Sequence, residues 1–220
     1  MTMSLHKLGQ KHGTDKCDES HTFLGESYLD IYERYLAVGR DMRLNLLELG
    51  VRHGNSLRMW KEFFPKAQIY GVDFDSRCKQ HEEDRIEILI ASQDDPVQLG
   101  ALAERVGGFD IVLDDASHIN HLTLASFRIL FPHLKSAGFY IIEDLGMSWV
   151  DYTKHVDDPA FMEGVLKTHL VKGVPIDHKR DDLDQLFREI LFDMDMNRGD
   201  IHFLHFWSKV AILKKAPEGC

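Results

Sequence analysis

"LNLLELGVRHGNSLRMWKEFFPKAQIYGVD" occupies residues 44–73. Its first run, "LNLLELG" (44–50), is apolar and ends in Glu48 and Gly50, as a buried parallel strand does. "NSLRMWKEFF" (55–64) has helical periodicity, with Asn55 or Ser56 as its cap and Pro65 just past its end. "AQIYGVDFD" (67–75) is a second apolar run, again ending in acids. Strand, tight turn, helix and strand make a βαβ unit, which sets two strands parallel in one sheet.

The same alternation continues along the chain. "RIEILIAS" (85–92) reads as a third strand, and "PVQLGALAERV" (96–106) as a helix with Pro96 in its first turn. "FDIVLDDASHIN" (109–120) opens as a fourth strand, "LTLASFRILFPHL" (122–134) is a helix, and "AGFYIIED" (137–144) is a fifth strand. Strands and helices at this spacing predict an α/β fold around a parallel sheet. Ligands of such sheets bind beyond the carboxyl ends of the strands. Acids stand at the tips that can be compared: Glu48, Asp73, Asp114 with Asp115, and Glu143 with Asp144. Their shared edge marks the expected site.

The flanks read differently. The first twenty residues are polar, with "GTDK" (13–16) at their centre, and read as a loop or lid. "SYLDIYERYLA" (27–37) places Tyr28, Ile31, Tyr35 and Leu36 on one helical face. Residues 151–200 are acidic and mixed, with a helical segment at "DDLDQLFREILFDM" (181–194). "IHFLHFW" (201–207) and "VAILKK" (210–215), separated by Ser208-Lys209, read as a hairpin closing the sheet.

Composition narrows the function. The 220 residues are 44% hydrophobic and 28% charged, an ordinary globular balance. A net charge of −10 argues against nucleic acid or an anionic membrane as partner. Cys17, Cys78 and Cys220 are scattered and odd in number, giving neither a disulfide framework nor a thiolate metal site. The N-terminus carries no long apolar run, so no signal peptide is expected, and no stretch approaches the roughly 18 apolar residues of a membrane span. A cytoplasmic protein is expected, with self-association left open.

Each candidate residue has a plainer alternative. Gly50 and Gly54 in "LLELGVRHGNSL" allow a tight turn and close approach to a ligand. Arg52 breaks the dinucleotide fingerprint, and such turns also serve packing alone. Asp73, about 20 residues on, stands where an acid can take up ribose hydroxyls. Gln93 or Asp94 in "ASQDD" (91–95) could line an adenine, or the stretch could simply cap the helix at Pro96. Asp115, Glu143 and Asp144 would lie side by side on neighbouring strands. Three converging carboxylates call for a cation, and hard oxygen donors suit Mg²⁺ or Mn²⁺. His118, one turn past Asp115, is placed to act as a base beside the metal. Acids at strand tips also cap helices, and a lone loop histidine is more often structural.

Taken together, "GTDK", "LLELGVRHGNSLRMWKEFFPKAQIYGVD", "FDIVLDDASHIN", "LFPHLKSAGFYIIED" and the final "HFW" resemble class I S-adenosylmethionine-dependent methyltransferases. The likeness is strongest to the metal-dependent O-methyltransferases of macrolide and other natural-product deoxysugars. It covers roughly residues 7–145 and the last strand pair. It implies a Rossmann-like, seven-stranded, mostly parallel sheet with an antiparallel C-terminal strand and helices on both faces. One domain over 1–220 is expected: an N-terminal lid or helix (1–40), a cofactor and metal core (41–145), an acceptor-side insertion (146–200) and a strand hairpin (201–220). By the same resemblance, Glu48, Gly50, Gly54, Asp73, Gln93 and Asp94 line S-adenosylmethionine. Asp115, Glu143 and Asp144 match the Mg²⁺ or Mn²⁺ ligands, and His118 the general base. Two departures stand out, Arg52 where many methyltransferases have glycine and Ala116 where "DDGSH" is usual. Macrolide members also carry a large further N-terminal domain without counterpart in these 220 residues. The implied activity is O-methylation of a sugar or other vicinal diol on a small molecule, in natural-product or glycan biosynthesis. The alternative is an NAD-dependent oxidoreductase or a hydroxylase-related protein on a similar fold. The oxidoreductase leaves the three converging carboxylates unexplained.

Overall fold

A computed structural model of the chain describes residues 3–149 and 180–219. Most of the expected acceptor-side insertion (146–200), and Cys220, lie outside the described residues. The chain divides into two compact units, Met1–Ile90 and Ala91–Cys220.

In the first unit, helix α1 (Leu5–His12) begins at Ser4, whose hydroxyl accepts from Lys7 N, and ends at Gly13 in the left-handed conformation. Eight of the residues expected to be loop are therefore helix. Leu5 and Leu8 are its buried apolar residues, too short a stripe to stand out in a polar run. Helix α2 (Tyr28–Leu36) opens with a reciprocal capping box between Ser27 and Asp30, satisfying two backbone donors at once. Its buried face comprises Tyr28, Leu29, Ile31, Tyr32 and Leu36. Tyr35, expected on that face, is only partly covered.

Strand β1 (Asn45–Leu49), helix α3 (Asn55–Phe63), strand β2 (Gln68–Asp73) and strand β3 (Ile86–Ile90) follow. The β1–β2 and β2–β3 pairs are parallel, with Glu48 opposite Gly71 and Asp73 opposite Ile90. A Cβ on Gly71 would fall 2.6 Å from Val51 Cγ2 and 2.9 Å from Leu57 Cδ1. Glycine there lets the β1–α3 turn and α3 settle onto the strand.

The second unit runs through helix α4 (Pro96–Val106), strand β4 (Phe109–Asp114), helix α5 (Asn120–Leu130) and strand β5 (Leu134–Ile142). After the undescribed stretch come helix α6 (Asp181–Asp195) and strands β6 (Ile201–Trp207) and β7 (Val210–Lys215). β4 and β5 are parallel, β7 is antiparallel to β5, and β6 pairs with β7 as the expected hairpin. The sheet has seven strands in the order β3-β2-β1-β4-β5-β7-β6. Among the described residues no helix is long and apolar enough to cross a membrane.

Candidate active site

In the first unit the turn from β1 to α3 is built from left-handed residues. Gly50 (φ 93°), Arg52 (φ 49°) and Gly54 (φ 67°) all have positive φ. Gly54, not Asn55 or Ser56, is the N-cap of α3, and it makes no side-chain cap bond. The turn leaves the amides of Val51 and Arg52 pointing at one acceptor, Asp73 Oδ2, at 2.9 and 3.1 Å. Asp73 Oδ1 accepts from Asp75 N at 2.9 Å. The carboxylate at the tip of β2 is thus clamped to the β1–α3 loop yet remains partly exposed. Cys78 lies beside it, its thiol pushed up to about 12, mainly by burial and further by the Asp73 charge. That thiol is inert at neutral pH.

Arg52 replaces a usual glycine at a backbone position that favours glycine. A non-glycine residue there costs about 1 kcal/mol or more. Its amide bond to Asp73 and a 2.9 Å contact from Nη1 to Asp15 Oδ2 hold it in place. Ala116 is absent from the positive-φ residues, so the second departure from the usual pattern carries no backbone penalty.

Glu48 is 0% exposed. Trp60 Nε1 donates to its Oε2 at 3.0 Å, and Lys16 Nζ lies 3.4 Å from Oε1. Lys16 is itself 1% exposed, and a buried charge needs such a partner. Lys16 belongs to "GTDK", and its neighbours join the same wall. Gly13 O accepts from Asn55 Nδ2 at 2.8 Å, and Asp15 meets Arg52. The segment expected to be a lid is therefore tied to β1, the β1–α3 turn and α3. The motif was visible in sequence, but nothing in a polar run announced a buried lysine.

In the second unit the reading of "ASQDD" as a cap holds for Asp95, whose carboxylate accepts from Val97 N and Gln98 N. Asp94 is exposed and takes a hydrogen bond from Ser92 Oγ. Gln93 is buried and faces the "DDASH" loop: its Oε1 accepts from Ser117 N, and its Nε2 donates to Ser126 Oγ.

β4 and β5 run parallel with Asp114 opposite Ile142, and Glu143 N donates to Asp114 O at 3.0 Å. The residues just past both tips therefore lie side by side. His118 Nε2 is 3.8 Å from Asp115 Oδ1 and 3.6 Å from Asp144 Oδ2. One donor atom from each of Asp115, His118 and Asp144 falls within 4.8 Å of the others. Two carboxylates and an imidazole fit a divalent cation of the Mg²⁺ or Mn²⁺ kind that keeps room for further oxygen ligands. Both His118 (φ 56°) and Asp144 (φ 51°) hold left-handed backbones, a strain that persists where surrounding bonds enforce it. Glu143, also expected here, is buried and is not one of these three. Next to Asp115 in the chain, Asp114 is buried; desolvation above all, with the neighbouring Asp115 charge, pushes its carboxyl up to about 7.

No family model matches the chain. Over 160 residues it is 39% identical to L-olivosyl-oleandolide 3-O-methyltransferase of Streptomyces antibioticus, covering 69% of this chain and 40% of that protein. Over 179 residues it is 38% identical to 8-demethyl-8-alpha-L-rhamnosyl tetracenomycin-C 2'-O-methyltransferase of Streptomyces olivaceus, covering 77% of this chain and 45% of the other. The chain thus spans less than half the length of these curated relatives. A solved structure, the MycE methyltransferase from the mycinamycin biosynthetic pathway in complex with Mg and SAH, is similar over all of this chain and 57% of its own. The TM-score is 0.75 and the identity 32%.

Proposed function

We propose, from the premise that the chain belongs to the class I S-adenosylmethionine-dependent O-methyltransferases, that it methylates a hydroxyl of a sugar or other vicinal diol on a small molecule. Natural-product biosynthesis is the setting, as the names of the relatives suggest. The observation that carries the reading is the convergence of Asp115, His118 and Asp144 past the tips of β4 and β5.

The roles follow from placement. Asp73, fastened at three points but partly exposed, offers its remaining acceptor capacity to the ribose hydroxyls of S-adenosylmethionine. Glu48, Gly50 and Gly54 shape the cofactor's loop. Gly50 and Gly54 give the backbone its turn, and Glu48 acts from beneath through Trp60 and Lys16. Gln93 and Asp94 are assigned to the nucleoside end. Asp115 and Asp144 would hold Mg²⁺, with Glu143 as the third carboxylate of the set. When bound, S-adenosylmethionine supplies an activated methyl group, and the cation lowers the pKa of a coordinated hydroxyl. His118 Nε2 takes the proton that the acceptor hydroxyl releases, and the flanking carboxylates stabilise the imidazolium. The same carboxylates orient the ring, so base and acceptor meet in one geometry.

The deciding experiment combines calorimetry with a labelled-methyl screen. S-adenosylhomocysteine should bind and NAD⁺ should not. Label should pass to glycosides or nucleotide sugars with Mg²⁺, cease with EDTA and return with Mg²⁺ or Mn²⁺. Full transfer after exhaustive chelation would remove the cation from the mechanism, and NAD⁺ binding in place of S-adenosylhomocysteine would overturn the reading.

A further inference from the structure

The left-handed backbone at His118 has no glycine on either side; something else must hold it. Its neighbours supply the restraint. Ser117 N donates to Gln93 Oε1 at 3.0 Å, and Ile119 N donates to Ser117 Oγ at 3.2 Å. The Gln93 amide is fixed at its other end, where Nε2 donates to Ser126 Oγ at 2.9 Å. Ser126 Oγ in turn donates to Leu122 O at 2.7 Å, within the first turns of α5. Ser117, Ser126 and Gln93 are all buried, at 6%, 0% and 7% exposure. No water can replace a lost partner without reopening the packing.

We propose that Gln93 is a positioning residue: by accepting the buried Ser117 N–H it holds the left-handed turn that aims His118 Nε2 at Asp115 and Asp144. Side-chain amides suit this task because one planar group both accepts and donates. The β3–α4 loop is thereby coupled to the loop after β4 and to α5. Removing the acceptor leaves the Ser117 amide buried and unpaired, and the strained turn loses the bond on its N-terminal side. The imidazole then moves away from the two carboxylates. A contact with adenine uses other valences of the amide and predicts a different pattern of losses. The consequence for the cation rests on the functional reading above; the consequence for the loop does not.

The test compares Gln93→Leu, which removes both functions of the amide, with Gln93→Glu, which keeps an acceptor for Ser117 N–H. In the ligand-free chain, NMR hydrogen exchange at the Ser117 amide should accelerate at least about tenfold in the Leu variant and stay near wild type in the Glu variant. Mn²⁺ affinity, read by EPR of the free ion, should fall about 10–100-fold in Gln93→Leu, as for other residues that orient ligands, and recover in Gln93→Glu. Unchanged Ser117 exchange and Mn²⁺ affinity with weakened S-adenosylhomocysteine binding would overturn the proposal and assign Gln93 to the nucleoside alone. A wild-type chain that binds no Mn²⁺ would sink the functional reading instead, and the exchange comparison would still decide what Gln93 holds. Gln93→Glu, judged by its amide spectrum, guards against mistaking global unfolding for a local effect.

Discussion

His118 shows what a single side chain can be asked to prove. Its Nε2 lies 3.8 and 3.6 Å from two carboxylate oxygens, a geometry open to a base and to a metal ligand alike. If it is the base, His118→Ala should cut kcat by about 10²–10⁴ while metal and cofactor affinities hold. If it is a ligand, Mg²⁺ affinity should drop and added Mg²⁺ should restore much of the rate. Steady-state kinetics at graded Mg²⁺ separate the two. The residue types of this site were legible in sequence because acids recur at strand tips. That Asp144 comes within reach of His118 was not, because it depends on a left-handed backbone at Asp144 (φ 51°) that strand periodicity does not record. Lys16 escaped for a related reason: its burial depends on Glu48, thirty-two positions away, and no local pattern records that.

At the scale of elements, the strands and α4 stand close to where apolar runs and Pro96 put them, since period and punctuation are local signals. The turns carry the surprises. Gly54 caps α3 from a left-handed conformation, and a Cβ there would meet His81 Cβ at 2.9 Å. Gly54→Ala should therefore cost about 1–2 kcal/mol from backbone strain alone, and more if His81 cannot yield. Gly100, inside α4, has nothing within 4 Å of an added Cβ, so Gly100→Ala should stabilise by about 0.5–1 kcal/mol. Urea midpoints of the two variants should move in opposite directions. The capping box of α2 gives a pH-dependent test. Burial raises the Asp30 carboxyl, but hydrogen bonds from Ser27 and His6 outweigh it and leave the group below its usual range. A depressed carboxyl stabilises the fold above its unfolded pKa of about 3.9, and that stabilisation is lost as pH falls through the folded value. Asp30→Ala should cost about 1 kcal/mol near neutrality, as cap losses do. The penalty should shrink below about pH 4, checked by urea melts across pH.

For the whole molecule the question is which ligand the native state prefers, because a ligand bound only by the folded chain raises its stability. At a concentration of one hundred times Kd the gain is about 2.7 kcal/mol. For a chain of 220 residues each 1 kcal/mol moves Tm by about 2–4 °C. S-adenosylhomocysteine at that excess should thus raise the midpoint by about 5–11 °C. NAD⁺ at the same concentration should leave it unmoved, since Arg52 and its ion pair to Asp15 stand where a dinucleotide fold needs glycine. In the proposed reading, Asp73 ties the ligand to the fold. Charge-assisted bonds to ribose hydroxyls are worth about 1.5–3 kcal/mol, so Asp73→Ala should weaken binding by about tenfold or more and erase part of the shift. That variant also frees the amides of Val51 and Arg52, lowering its baseline Tm without ligand. The ligand-dependent increment, not the absolute Tm, is therefore the quantity to compare. An increment for S-adenosylhomocysteine as large in Asp73→Ala as in wild type would mean that Asp73 serves only to fasten the loop, and that the ribose is held elsewhere.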